Sequence, residues 1–158
     1  MISRILTIAL VFFSSIAMCQ NLKKDKALAD SLVNLWNVNF DSDIPKNVEN
    51  ILTENVSMIS GDFHAQGKST IMNDFVIKRM PLIKSLNSVA EYYKVTDNMI
   101  YTSGKYTLEV KRNETLWEVA EGNVTFVWVK QTDNSFKIDN MQIESVKKEK
   151  EIKKLKLF

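Results

Sequence analysis

The sequence predicts one α+β domain in which the helices come first and the strands follow. Apolar residues recur at helical spacing in the first half of the chain, whereas β-branched and aromatic residues alternate through most of the second half. The longest alternating stretch predicts a β-hairpin of Leu116–Lys130 and Phe136–Val146, joined by a polar five-residue turn. Helices grouped early and strands grouped late favour an antiparallel sheet with helices on one side.

Length and composition are those of a single globular domain. The chain has 158 residues, of which 45% are hydrophobic and 25% are charged, and its formal net charge is +2. This charge does not imply long-range attraction to nucleic acid. The sequence contains no P-loop, no glycine-rich dinucleotide turn and no nucleophile elbow, so it points to no nucleotide cofactor or serine hydrolase chemistry.

Residues 1–19 have the pattern of a secretory signal peptide. A short basic start precedes an apolar run and a small-residue exit, in the order 1–4, 5–13 and 14–19. The apolar run is shorter than the about 20 residues that a membrane-spanning helix needs. We therefore expect export to the periplasm or the outside, and no stable membrane span.

The expected cleavage site lies before Gln20, because Ala17 and Cys19 are both small and lie two residues apart. The mature chain would then have no cysteine, and thus no disulfide or thiol nucleophile. The alternative is a lipid anchor on Cys19, for which Met18 is an unfavourable preceding residue.

Three helices are predicted before the sheet. The first, over 26–40, carries one apolar stripe formed by Ala27, Leu28, Leu32, Leu35, Trp36 and Phe40. The second begins at Pro45, which suits a first helical turn, and ends near Glu54. The third covers 68–80, where Pro81 helps to stop it.

The strands follow in a meander. A small hairpin of 56–60 and Phe63–Gln66 turns at Gly61 and Asp62, and strands over 88–97 and 99–111 lead into the long hairpin. The domain is thus expected over 20–146. The remaining 147–158 form a basic C-terminal tail, either solvated or attached to an anionic surface.

The order and spacing of these elements resemble the nuclear transport factor 2-like (NTF2-like) superfamily, in particular its SnoaL-like and calmodulin-kinase association-domain-like branch. The resemblance covers about 26–146 and rests on Leu35-Trp36, on Gly67 before the third helix, and on the terminal hairpin. It implies a cone-shaped, curved antiparallel sheet with three helices packed on its concave side. An apolar pocket often occupies the mouth of that cone.

Relatives in this branch often carry His-x-His on the last strand, where this chain has Asn140-Met-Gln142. These amides hydrogen-bond but are not ordinary acid–base groups. The first hypothesis is therefore a secreted protein that binds a small, largely apolar ligand in the cone, without a cofactor or metal. The predicted ligand contacts are Met58, Phe75, Tyr92, Asn140 and Gln142.

The alternative hypothesis is an isomerase- or dehydratase-like enzyme. His64, the sole histidine, or Glu118 would move a proton, and Tyr92 or Gln142 would stabilise the developing oxyanion. Without a catalytic role, His64 would be an ordinary strand histidine at or near the surface, and Glu118 would point into solvent. A single histidine excludes a multi-histidine metal site.

The strand Leu116–Lys130 has apolar residues on both of its faces. Trp117 and Trp128 are separated by an odd number of residues, so a regular strand places them on opposite faces, unless a bulge near Gly122 reverses one. Three helices cover one face only. The pattern predicts a homodimer through the outer face of the sheet, and a purely structural homodimer is the third hypothesis.

Overall fold

The computed structural model describes the backbone of residues 2–113, 116–146 and 152–154, and the side chains of 22–111 and 118–145. Helix α1 spans Ile2–Asp41 and α2 spans Pro45–Asn50. The third helix, α3, covers 68–79 and contains a π-helical turn, Met72–Val76, between α-helical Lys68–Ile71 and Ile77–Arg79. In the part of the chain that is described, no helix is both long and apolar enough to cross a membrane.

The strands are β1 Leu52–Ser60, β2 Phe63–Gln66, β3 Ile83–Val95, β4 Met99–Asn113, β5 Leu116–Lys130, β6 Phe136–Val146 and β7 Ile152–Lys154. Both arms of the predicted long hairpin and the strand β2 have the predicted bounds. The α+β class with three helices is confirmed.

Helix α1 begins at Ile2 rather than at residue 26, and β1 begins at Leu52 rather than at residue 56. Two further boundaries differ from the sequence prediction because distant residues set them. Helix α2 ends at Asn50 rather than near residue 54, since β1 begins at Leu52 opposite Ile138, whose backbone N–H donates to the Ile51 carbonyl at 2.8 Å. Strand β3 begins at Ile83 rather than at residue 88, because β4 is long enough to pair with it. The local sequence pattern shows neither the pairing of β1 with β6 nor that of β3 with β4.

The sheet is curved and unclosed, with strand order β2-β1-β6-β5-β4-β3. Neighbours are antiparallel except β1 and β6, which pair in parallel. A parallel pair needs a long crossover, which the α3 to β5 segment supplies. Strand β7 pairs with the start of β5 at 116–118, where β6 no longer reaches, so this part of the predicted tail is a strand. Residues 147–151 and 155–158 lie outside the described residues.

The helices cover one face of the sheet, here called the inner face, which carries Val124, Phe126 and Trp128. The Trp36 ring of α1 packs on Phe126 with centroids 5.3 Å apart, and Phe126 packs on Trp128 at 5.5 Å. The β4–β5 register runs without a shift through Gly122, so no bulge there interrupts the alternation of β5. The side chain of Trp117 lies outside the described residues.

Candidate functional site

A cavity of about 220 Å³ lies between the inner face of the sheet and the helices α1 and α3. Its wall is mostly apolar. Its apolar lining includes Trp36, Phe40, Phe75, Leu86, Leu108 and Val124. A largely apolar cavity with a few polar groups is the usual form of a small-molecule site.

One polar row crosses this apolar wall. Ser88, Tyr106, Gly122 and Ser145 are successive cross-strand partners on β3, β4, β5 and β6. Strand alternation places all four on the inner face, because each shares the parity of an apolar residue that lines the cavity from the same strand: Leu86, Leu108, Val124 and Ile143, respectively. Three of them carry hydroxyl groups that line the cavity.

Gly122 makes room for the tyrosine in this row. A Cβ atom at residue 122 would lie 2.7 Å from Cε1 of Tyr106 and 1.9 Å from the carbonyl oxygen of Glu144. Without that atom, the Tyr106 ring extends across β5, and its hydroxyl lies 3.0 Å from Oγ of Ser145. The phenol is thus held in a fixed place on the cavity wall.

Ser88 combines a fixed backbone with a free hydroxyl. The Asn37 side chain of α1 donates to the Ser88 carbonyl at 2.9 Å and accepts from the Ser88 N–H at 2.9 Å. The residue is 4% exposed, and its Oγ has no hydrogen-bond partner among the described residues. Leaving a buried hydroxyl unpaired costs about 1–3 kcal/mol, so such a group usually meets a ligand or an ordered water.

A second side chain of α1, Asp41, holds the same edge of β3. Its Oδ1 accepts from the Leu86 N–H at 2.8 Å. Burial raises the pKa of the Asp41 carboxyl above its ordinary value, and the hydrogen bond from Leu86 opposes that rise. Asn37 and Asp41 together satisfy edge groups of β3 that no further strand pairs.

Among the described residues that line the cavity, Arg79 is the one that carries a charge. Its guanidinium carbon lies 5.8 Å from the centroid of the Phe75 ring, one helical turn away, and that ring packs on Phe63 at 5.5 Å. Among the described residues, no carboxylate lies within ion-pairing distance of Arg79. The residue is exposed, so it marks the open end of the cavity, whereas Ser88 marks the closed end.

Of the predicted ligand contacts, Phe75 lines the cavity. Met58 is 1% exposed and belongs to the packed core, but it does not line the cavity. Asn140 lies on the outer face, where its Nδ2 donates to Oγ of Ser57 at 2.7 Å. A register shift between β5 and β6 at Val127 and Trp128 places it there.

His64, Gln142 and Tyr92 share one row across the outer face. The row runs through cross-strand partners from β2 to β3 in the order His64, Ile59, Gln142, Thr125, Ser103 and Tyr92. Tyr92 is 72% exposed, because a bulge after Ala90 shifts the alternation of β3. Tyr93 takes the inner side instead, with its hydroxyl 3.4 Å from the Leu22 carbonyl of α1.

Glu118 has the inner-face parity of β5 but does not line the cavity. It is half-buried and lies opposite Val110 at the end of the sheet that β7 joins. His64 alternates with Phe63 and Ala65, which face the core, so it lies on the opposite face. The two predicted acid–base groups are therefore separated by the sheet.

The site residues predicted from the sequence do not include Arg79, Ser88, Tyr106 or Ser145. Arg79 follows Phe75 by four residues on a predicted helix, which places both on one face. That spacing could have predicted Arg79 as a neighbour of Phe75 in the site. No local sequence signal could have predicted the polar row, because it depends on the register of four strands.

No family model and no curated protein matches this chain. Solved structures do match. An NTF2-like superfamily protein from Salmonella enterica aligns with a TM-score of 0.68 at 16% identity, over 80% of this chain and 94% of that one. A ketosteroid isomerase-like protein from Erwinia carotovora atroseptica aligns with a TM-score of 0.66 at 11% identity, over 78% of this chain and 98% of that one.

A third structure, described as a calcium/calmodulin dependent protein kinase II association domain from Xanthomonas campestris, aligns at 0.60 and 18% identity, over 73% of this chain and 84% of that one. These similarities define the class: the chain has the NTF2-like fold, as its sequence predicted. At such identities they establish the fold alone, and the activity must be argued from the cavity.

Proposed function

We propose that this protein binds a small, largely apolar ligand in the cavity and does not transform it. The observation that carries the proposal is the buried Ser88 hydroxyl, which lines an apolar cavity and has no partner among the described residues. Asn37 fixes the Ser88 backbone, so the hydroxyl is preorganised for a ligand group.

The composition of the wall favours binding over catalysis. In the part of the chain that the structure describes, the residues that line the cavity include no aspartate, glutamate, histidine or lysine. Tyrosine and arginine are ordinarily protonated near neutral pH, and serine needs a neighbouring base. Proton abstraction of the isomerase or dehydratase type requires a base within hydrogen-bond reach of the substrate.

Filling the cavity tests this function. Ala120 lines the cavity, whereas its neighbour Val119 has the opposite parity on β5. We expect Ala120→Leu to weaken binding of a neutral probe, 1-octanol, by about tenfold or more, because the added carbons occupy ligand space. The matched Val119→Leu variant should bind like the parent, as measured by calorimetry. Equal affinities in all three proteins, or chemical conversion of a bound ligand, would contradict the proposal.

We further propose that a second copy of the chain packs on the outer face. That face exposes Ile59, Val89, Met99 and Tyr101 by 39–48% in the single chain, in addition to Tyr92. Exposed aromatic and aliphatic side chains amid hydroxyls are common in subunit interfaces. This interface would make His64, Gln142 and Tyr92 contact residues of a dimer rather than of a ligand.

Export is also a proposal, supported by the signal-peptide pattern of 1–19. Cleavage before Gln20 would leave the whole sheet and its helical cover from residue 26 onward intact. N-terminal sequencing of the exported protein should begin at Gln20; a lipid on Cys19 would instead support the anchored alternative.

A further inference from the structure

We propose that the ligand is a small monocarboxylate with an apolar body, and that its carboxylate lies beside Arg79 at the mouth of the cavity. This rests on the proposed function and adds the chemical class of the ligand. The charge on the cavity wall, the geometry around its cation and the size of the cavity all point to such a ligand.

The charge on the cavity wall is unbalanced. Every ion pair between described residues is made by a lysine, and the neighbouring Lys78 pairs with Asp74 at 2.7 Å. Arg79 makes no such pair there, and no acidic side chain of the described residues lines the cavity with it. An anion at the mouth would therefore meet one cation and no opposing carboxylate.

The guanidinium also lies next to an aromatic ring. It lies over the Phe75 ring, which is itself held by Phe63. A guanidinium stacked on an aromatic face keeps its N–H donors at its edge, where they fit the two oxygens of a carboxylate. A planar carboxylate uses this fork better than a single-point acceptor does.

The rest of the cavity suits an apolar body. Its volume of about 220 Å³ exceeds the about 150 Å³ of an engineered apolar cavity that admits benzene. The Tyr106 and Ser145 hydroxyls line the same space, and Ser145 is exposed like Arg79, so a second donor is available near the open end. An eight-carbon chain is a suitable probe of this arrangement.

Three eight-carbon probes that differ in the head group separate the charge preference from apolar binding. Octanoate, 1-octanol and octylammonium would be titrated by calorimetry near neutral pH into the parent protein. We expect octanoate to bind at least about tenfold more tightly than 1-octanol, since charge-assisted hydrogen bonds are the stronger kind. Octylammonium should bind more weakly than 1-octanol.

Two variants with the same change in net charge assign the preference to one residue. In Arg79→Met, the affinity for octanoate should fall to about that for 1-octanol. Lys78→Met, one residue away and directed to Asp74, should keep both. Thermal unfolding of each variant checks that it is folded.

The outcomes distinguish this inference from the function on which it rests. If 1-octanol binds but octanoate gains nothing, or if Arg79→Met retains the preference, the carboxylate assignment is overturned and the apolar site stands. If octylammonium binds as tightly as octanoate, the assignment is likewise overturned. If none of the probes binds, the proposed function fails as well.

Discussion

At the scale of single residues, two polar side chains of α1 complete the edge of the sheet. The Asn37 amide makes the two hydrogen bonds that a neighbouring strand would make, because it pairs with both the N–H and the carbonyl of Ser88. Asp41 does the same for the Leu86 N–H. Because these groups are buried or partly buried, each lost bond leaves a polar group without water to replace it.

Replacement of Asn37 by leucine should therefore destabilise the fold. We expect Asn37→Leu to lower the free energy of unfolding by about 2–4 kcal/mol, because a buried N–H and a buried carbonyl both lose their partner. Denaturant titration measures this loss. Asn34→Leu, at an exposed position one turn earlier on α1, is the matched control and should change stability little. Equal losses in the two variants would contradict the role of the Asn37 amide.

The raised pKa of Asp41 gives a dependence of stability on pH. A raised folded-state pKa means that folding favours the protonated carboxyl, so this contribution is complete below the ordinary value of 3.8 and is lost as pH rises through the folded-state pKa. Asp41→Asn keeps an acceptor for Leu86 and removes the ionisation. Its stability relative to the parent should rise with pH over that window. A difference that stays constant or falls would contradict the direction of the shift.

At the scale of elements, close contacts between strands shape the cavity wall. Tyr106 can extend over β5 only because residue 122 has no side chain, and β6 approaches β5 closely at the same point. The π-helical turn of α3 contains Phe75 and ends at Val76, and the α-helical turn that follows it ends at Arg79. Both Phe75 and Arg79 line the cavity. Such turns are often found at functional sites.

Gly122→Ala should be strongly destabilising, by about 3 kcal/mol or more, because the new methyl group meets the backbone carbonyl of Glu144 as well as the Tyr106 ring. Adding Tyr106→Leu removes the contact with the ring and leaves the contact with the backbone. The double variant should therefore remain well below Tyr106→Leu in stability, as measured by denaturant titration. Full recovery in the double variant would show that the ring alone excludes a side chain.

At the scale of the whole molecule, one face of the sheet meets the helices and the other is open in the single chain. The outer face carries polar pairs, such as Thr125 donating to Ser103 at 3.0 Å, beside exposed Tyr92 and Tyr101. A face with this mixture of polar and apolar side chains can contact solvent when the protein is dilute, and it can pack against a second copy of the chain at higher protein concentration. The cavity lies on the inner face, so it does not depend on whether the outer face contacts solvent or a second copy.

Tyr101→Lys tests the proposed dimer. A charge at a face that meets its own symmetry copy brings like charges together, so we expect the variant to shift toward the monomer. Light scattering with size-exclusion chromatography measures the mass. Ile44→Lys, at an exposed apolar position off the sheet, should leave the mass unchanged. A parent protein that is monomeric at all concentrations would contradict the proposal.

The sequence alone determined the class of fold and the bounds of its clearest elements. Alternation and turn residues defined Phe63–Gln66, Leu116–Lys130 and Phe136–Val146, because these signals are local. Helical spacing likewise placed Phe75 on the buried side of α3. The element order was enough to predict the NTF2-like cone.

The tertiary structure decided what faces the cavity. The bulge after Ala90 turned Tyr92 outward, and the register shift in β6 placed Asn140 on the outer face. A slip of one residue reverses the face of every later side chain in a strand, and pairing with distant strands sets such slips. For the same reason Ser88, Tyr106 and Ser145 became one row only when four strands were in register.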